Sequence, residues 1–165
     1  MVSALIRQVT PNDAGPVTGI YNYYVQNTVI TFEEEPVETA EMERRIRTVG
    51  AAYPWFVLEE PGAVLGYAYA NKFKERSAYR YSAEISIYLQ NGLEGSGLGT
   101  RLMQRLLDEM KMSGVHALIG GITLPNERSV ALHEKFGFEK TAHFREVGFK
   151  MNRWLDVGYW ELILK

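Results

Sequence analysis

The chain has 165 residues, a formal net charge of −2 and no cysteine. That length suits one domain over residues 1–165 able to bury a core without covalent staples. The weak acidity argues against nucleic acid as the main partner, and the missing thiols exclude disulfides, thiolate metal sites and a cysteine nucleophile.

The opening stretch "MVSALIRQVT" lacks a basic region followed by a long apolar run, so no secretory leader is expected. Its "ALIRQVT" alternates and predicts a first strand, and "PNDAG" follows as a turn and helix start with Asn12 or Asp13 available as a cap. Residues 13–26 predict a helix with Val17, Ile20, Tyr21 and Tyr24 on one side. "VETAEMERRIRTV" predicts a second, charged helix carrying a narrow stripe of Met42, Ile46 and Val49. "WFVLEE", a Pro61-Gly62 turn and "AVLGYAYANKF" predict a β-hairpin. "YSAEISIYLQ" predicts another strand. Residues 97–112 predict a helix whose buried face is Leu98, Leu102, Met103, Leu106, Leu107 and Met110.

"VHALIGGIT" is a near-continuous apolar run, as a strand covered on both faces requires. "PNERSVALHEKF" predicts a helix with Pro125 in its first turn and Gly137 ending it. "FEKTAHFREVGFKM" and "DVGYWELIL" predict two final strands. The order β-α-α-β-β-β-α-β-α-β-β implies a mixed α/β (α+β) sheet with helices on both faces. The longest apolar stretches, "AVLGYAYA" and "VHALIGGI", are too short to span a bilayer. The expectation is therefore a cytoplasmic protein without a membrane partner. His116, His133 and His143 are scattered without ligand spacing, so no metal is expected either.

The segment "LEGSGLGTRL" raises the question of chemistry. A dinucleotide fingerprint G-x-G-x-x-G fails because the third glycine comes one place early, and a P-loop fails for want of its lysine. A nucleophile elbow fails because Glu94 and Leu98 stand where glycines are required around Ser96. What remains is strand, glycine-rich turn and helix: either an ordinary chain reversal, or a set of backbone N–H groups able to hold a diffuse anion. Downstream, "NERSVALHEKFGF" places Asn126, Ser129 or Val130, and His133 on one helix face, with Leu132 and Phe136 on the opposite, buried side. The two features lie one strand apart, so parallel adjacency is expected.

Together these residues resemble the GCN5-related N-acetyltransferase (GNAT) superfamily. Its phosphate motif [QR]-x-x-G-x-[GA] is matched by Glu94-Gly95-Ser96-Gly97-Leu98-Gly99, and its N-x-x-S-x-x-L-Y-x-x-x-G-F helix by Asn126, Ser129, Leu132, His133, Gly137 and Phe138. "NTVITFEEEP", "YPWFV", "GYAYA", "RSAYRYSAEISIYL", "LPNERSVALHEKFGFEK" and "REVGFKMNRWLDVGYWEL" look like the phosphinothricin and methionine sulfoximine or sulfone acetyltransferase branch, across nearly the whole chain. The resemblance implies the GNAT fold, a mostly antiparallel sheet of about seven strands. It implies acetyl-CoA as co-substrate, held by Tyr88, Leu89, Gly95, Ser96, Gly97, Leu98, Gly99, Thr100, Asn126 and Ser129, and a homodimer in which the last strands help form the interface. Glu94 departs from the usual Gln or Arg. It is expected to point to solvent, with Arg101, Arg128 or Lys135 supplying positive field, so that Glu94→Gln or Glu94→Arg tightens CoA modestly.

Acetyl transfer to an amine needs a base for the amine, stabilisation of the carbonyl oxygen and an acid for the thiolate. Direct attack in a ternary complex is the simplest route in a chain without cysteine. In "AEISIYL", Glu84, Ser86 and Tyr88 alternate away from Ile85, Ile87 and Leu89. That pattern alone also describes a solvated polar face; the resemblance makes Glu84 the base or water-relay residue. His133 stands where many relatives have tyrosine; an imidazole there can donate to sulfur or help deprotonate the amine, or be a plain helix-surface residue. Asn126 also reads as a helix cap.

In "NKFKERSAYRY", basic residues interleaved with aromatics suit either a solvated edge or single-stranded nucleic acid. The resemblance instead assigns Lys74 and Arg76 to the substrate's anionic groups, with Phe32 and Tyr79 as pocket walls. Trp154, Tyr159 and Trp160 read as core or interface, and His116 and His143 as structural. The expected activity is N-acetylation of the α-amine of a small amino acid or analogue such as methionine sulfoximine, methionine sulfone or phosphinothricin. The alternatives are a peptide N-terminus, lysine or polyamine acceptor drawn by the acidic "FEEEP", or a non-catalytic CoA sensor.

Overall fold

The computed structural model describes residues 3–165. Seven strands form one sheet in the order β1-β2-β3-β4-β5-β7-β6. The strands are β1 (Leu5–Gln8), β2 (Trp55–Glu60), β3 (Ala63–Lys72), β4 (Ser82–Leu89), β5 (Ala117–Leu124), β6 (Glu139–Lys150) and β7 (Arg153–Ile163). Every neighbouring pair is antiparallel except β4 and β5. The helices are α1 (Ala14–Asn27), α2 (Thr39–Gly50), α3 (Leu98–Met110) and α4 (Glu127–Lys135).

Register assigns the faces, because directly opposed residues on paired strands point the same way. Trp55, Tyr69 and Ser86 are successive partners, as are Val57, Tyr67 and Tyr88. That face is covered by α1 and α2 through Val17, Ile20, Tyr21, Tyr24, Met42 and Ile46. The opposite face, with Ala68, Ala70, Ile85, Leu118 and Ile122, packs on Leu102, Met103, Leu106, Leu107 and Met110 of α3, with Leu132 and Phe136 of α4 against the same cluster. Burying so many aliphatic side chains contributes about 1.5–3 kcal/mol each, and it makes the sheet a wall with one chemistry on each side.

Three local features differ from the expectation. Residues Pro11–Asp13 form one 3-10 turn ahead of α1. The Asp13 carboxylate turns back to accept Thr10 N–H at 2.7 Å and pairs with Arg7 at 2.8 Å, so it does not cap α1. Pro125 lies before the α4 cap rather than in its first turn; Asn126 is the cap, its side chain accepting Ser129 N–H at 3.2 Å. β7 starts at Arg153 because Met151 and Asn152 both adopt positive φ, 51° and 60°, and close a two-residue hairpin. No glycine marks that turn in the sequence.

Candidate active site

β4 and β5 run side by side only from Ser82 to Glu84, opposite Ala117 to Ile119. Beyond Glu84 they diverge, and the sheet opens into a wedge. Residues of an antiparallel strand turn their N–H and C=O alternately toward and away from the neighbour. Gln90 N–H donates to Leu65 O at 2.8 Å, which makes the adjacent pair Leu89 and Gly66 a non-hydrogen-bonded one. By alternation, the peptide groups of Ile85, Ile87 and Leu89 face the wedge. A strand edge left open inside a fold is a template for an extended ligand.

A cleft of about 690 Å³ fills this wedge and runs on to the glycine loop and α4. Tyr88, Leu89, Gly95, Gly97, Gly99, Thr100, Asn126, Ser129 and His133 all line it. Ser96 and Leu98 do not belong to that lining: the Ser96 hydroxyl donates to Leu93 O at 2.5 Å, and Leu98 packs on the α3 core. The loop turns through Gly92, Gly95 and Gly97, with φ of 92°, 78° and 84°, a conformation that side chains resist. Gly97 is the residue before α3, so the helix N-terminus opens on the cleft. Arg128 and Lys135 line the opposite wall, with Lys135 Nζ reaching Thr100 Oγ1 at 3.5 Å. Arg101 is elsewhere, donating to Ala4 O at 2.6 Å. Glu94 is not turned to solvent as expected. Its carboxylate accepts Gly92 N–H at 2.9 Å and approaches the Tyr24 hydroxyl at 3.4 Å, because the tight turn at Gly92 brings an orphan amide within reach of a short acidic side chain.

His133 lines the cleft together with Asn126 and Ser129, the face that helical spacing predicts for α4. It is the buried residue of that helix, 7% exposed, lying on the sheet side with Leu132 and Phe136 only partly covered. Its ring rests on β5, where a Cβ on Gly120 would stand 2.5 Å from Nε2. Nδ1 lies 2.7 Å from Ser129 O; a carbonyl only accepts, so Nδ1 carries the proton and neutral Nε2 is an acceptor. Burial lowers the imidazole pKa, only partly opposed by that backbone contact.

Glu84 is on the other side of the sheet. It opposes Asn71 and Ile119, on the α1/α2 face. It touches the cleft through Gly121, where an added Cβ would meet Tyr159 at 3.2 Å and Glu84 Oε1 at 3.4 Å. Burial raises the Glu84 pKa, and Lys74 acts against that rise. Phe32 lies over Gly148 of β6, on a loop held by Lys150, whose ammonium donates to Thr31 O at 2.7 Å. Lys74 sits over Phe73, and Tyr79 packs edge-on against the same ring. Arg76 is exposed and makes no ion pair among the described residues. These four residues line no part of the cleft itself.

Tyr24, Ile30, Gly121 and Ala131 line the cleft without having been singled out from sequence. Gly121 had a readable signal, since two successive glycines inside a strand mark close approach by another group. Tyr24 had none, being one of several aromatics on an apolar helix face.

An open strand edge ending in an amide cradle has the geometry to seat a long, phosphate-bearing chain. Similarity to known proteins agrees. The profile of the acetyltransferase (GNAT) domain matches residues 6–158, and the chain belongs to that family. It is 35% identical to a phosphinothricin N-acetyltransferase of Streptomyces viridochromogenes over 94% of this chain and 85% of the other. It is 36% identical to an L-methionine sulfoximine/L-methionine sulfone acetyltransferase of Salmonella typhimurium, over 96% and 94% of the two chains. Among solved structures, a GNAT superfamily phosphinothricin acetyltransferase from Sinorhizobium meliloti in complex with AcCoA superposes with a TM-score of 0.94 at 39% identity, covering 98% of this chain and 88% of that one. The protein is an acetyl-CoA-dependent acyltransferase. No helix among the described residues is long and apolar enough to cross a membrane.

Proposed function

We propose that the chain, as one N-acetyltransferase domain, transfers acetyl from acetyl-CoA to the α-amine of a small amino acid or analogue of the methionine sulfoximine, methionine sulfone and phosphinothricin class, by direct attack in a ternary complex. The observation that carries this reading is the wedge, which joins two faces of the sheet with one candidate group on each.

The thioester enters from the α3/α4 side. Its pyrophosphate takes the amides of residues 95–100, and Asn126 and Ser129 border the pantetheine beside the free edge of Ile85–Leu89. The amine comes from the α1/α2 face, where Glu84 takes its proton directly or through a water. A burial-raised carboxyl pKa makes Glu84 a better proton acceptor than a solvated carboxylate. The N–H of Ile87 or Leu89 faces the wedge and can stabilise the oxyanion made when the amine adds to the carbonyl and the C–N bond forms; its collapse re-forms C=O, breaks the C–S bond and releases the thiolate. His133, neutral with Nε2 as an acceptor, has no proton to give the thiolate and acts from the thioester side as an acceptor and a wall. The thiolate is protonated by water in the open cleft.

Lys74 and Arg76 receive the substrate's anionic groups, with Phe32 and Tyr79 as flanking walls. Of the acidic run, Glu33 is already committed to Arg45 at 2.6 Å and to Tyr21 at 2.9 Å, which weakens the case for a polycationic acceptor. Exposed Phe144, Val147, Phe149, Met151 and Trp154 on the β6–β7 hairpin supply the face for a homodimer. A cytoplasmic location matches the supply of acetyl-CoA. Free-thiol release from acetyl-CoA, screened over the two methionine derivatives, phosphinothricin, the standard amino acids, spermidine and a basic peptide, tests the reading. Release with the first three is expected; release with spermidine or peptide alone would overturn the acceptor assignment, and silence on all with CoA still bound would leave a sensor.

A further inference from the structure

Glu94 stands at the mouth of the loop that receives an anion, and its carboxylate is not idle. Oε2 accepts Gly92 N–H at 2.9 Å. The Tyr24 hydroxyl donates to Leu89 O at 2.5 Å and, as the weaker branch of a three-centre bond, to Oε1 at 3.4 Å. Leu89 is the last residue of the open strand edge, and Gly92, at φ 92°, is the first of the three left-handed glycines that shape the loop. One carboxylate therefore spans the junction between the strand edge and the amide cradle, and Tyr24 connects it to α1. Burial and Glu94 together push the Tyr24 hydroxyl pKa up to about 12, so it remains a donor at every working pH. Ser96, turned inward to Leu93 O, and Leu93 N–H, donating to Gln90 O at 3.1 Å, brace the same turn from within.

We infer that Glu94 and Tyr24 are positioning residues for acetyl-CoA: they hold the glycine loop at a fixed offset from the Leu89 edge, so that pantetheine and pyrophosphate are received together. Glu94 lines the cleft too, but its two oxygens are turned to Gly92 N–H and the Tyr24 hydroxyl, while Arg128 and Lys135 line the α4 side. The carboxylate thus acts through its hydrogen bonds more than as a bare charge facing the phosphates. This reverses the sign expected from sequence, where neutralising Glu94 should tighten CoA. The inference rests on the loop being the pyrophosphate cradle.

The test is steady-state kinetics in acetyl-CoA on the full chain, with Glu94→Ala, Glu94→Gln, Tyr24→Phe, the Tyr24→Phe/Glu94→Ala double variant and Gly97→Ala, each checked for folding by its thermal transition. Losing the brace is expected to raise KM for acetyl-CoA about tenfold in Glu94→Ala, with kcat little changed. Glu94→Gln, which keeps an acceptor for Gly92, should recover most of the loss. The double variant should be no worse than the poorer single one, because the two side chains form one unit. With acetyl-pantetheine, which lacks the pyrophosphate, Glu94→Ala should cost much less. A KM that falls in both Glu94 variants, as relief of charge repulsion would produce, overturns the inference. An unchanged KM in Glu94→Ala, with a large rise in Gly97→Ala, also overturns it while leaving the cradle intact. An unchanged KM in both removes the cradle assignment itself.

Discussion

Replacing Glu84 with glutamine keeps the side-chain volume and removes only the proton acceptor. Glu84 sits on the α1/α2 face beside Gly121, with its Oε1 3.4 Å from the place a Cβ would occupy there, so the glutamine fits without moving β5. A positioned general base is worth about 10²–10⁴ in rate, or about 3–5 kcal/mol of barrier. Glu84→Gln should therefore lose about 10²–10⁴ in kcat while KM for acetyl-CoA stays within about twofold, because the thioester is seated on the opposite face.

The wild-type pH profile carries the same signature. Burial raises the Glu84 pKa above its ordinary 4.5, so kcat/KM should fall on acidification through that raised value, and Glu84→Gln should lack this limb. Stability moves the other way. A carboxyl whose folded pKa is raised binds more protons folded than unfolded, so stability is lost as pH rises through the window from 4.5 to the raised value. At neutral pH Glu84→Gln should thus melt at a higher temperature than wild type, and the gain should vanish below pH 4.5. The assay is thiol release over a pH series with a sulfoximine or sulfone acceptor, paired with thermal melts. A kcat within threefold of wild type, on a folded protein, would refute the reasoning and move the base elsewhere.

Other consequences can be checked alongside. Lys74 is the one charge acting to hold the Glu84 pKa down, so Lys74→Met should move the acid limb of kcat/KM to higher pH, read from the same series. Gly120→Ala would put a Cβ 2.5 Å from His133 Nε2, forcing the imidazole off its Ser129 contact. Overpacking and the lost hydrogen bond together should cost about 2–4 kcal/mol, a drop in melting temperature on the order of 10 °C seen by calorimetry. Phe149→Glu with Trp154→Glu should convert a dimer to a monomer in sedimentation velocity, since Trp154 is 63% exposed with Phe149 tilted against it; a monomeric wild type would remove that interface.

Where a single stretch of chain decided its own structure, the sequence was enough. Alternation in "AEISIYL" put Glu84 on one face and Ile85 on the other. The α3 pattern named the buried residues Leu102, Met103, Leu106, Leu107 and Met110, with Leu98 only partly covered, and Asn126 with Gly137 bounded α4 by local capping chemistry. The motifs around Gly97 and Asn126 carried the resemblance to the GNAT superfamily, and that resemblance implied the right co-substrate. The helix α3 between β4 and β5 is the crossover that their parallel pairing requires.

What the sequence could not carry was anything set by two distant segments meeting. The wedge exists because β4 and β5 part after three paired residues, and no residue in either strand announces that. Helical spacing groups His133 with Asn126 and Ser129 on the cleft, but its burial depends on Gly120, which leaves room for a ring across the gap. Glu94 was read as a free charge because its partners, Gly92 and Tyr24, include one 70 residues away. Local propensity and spacing determined the elements and the chemistry they can offer. Only tertiary packing decided which sides of the sheet that chemistry occupies, because burial and hydrogen bonding between remote residues are properties of the assembled fold.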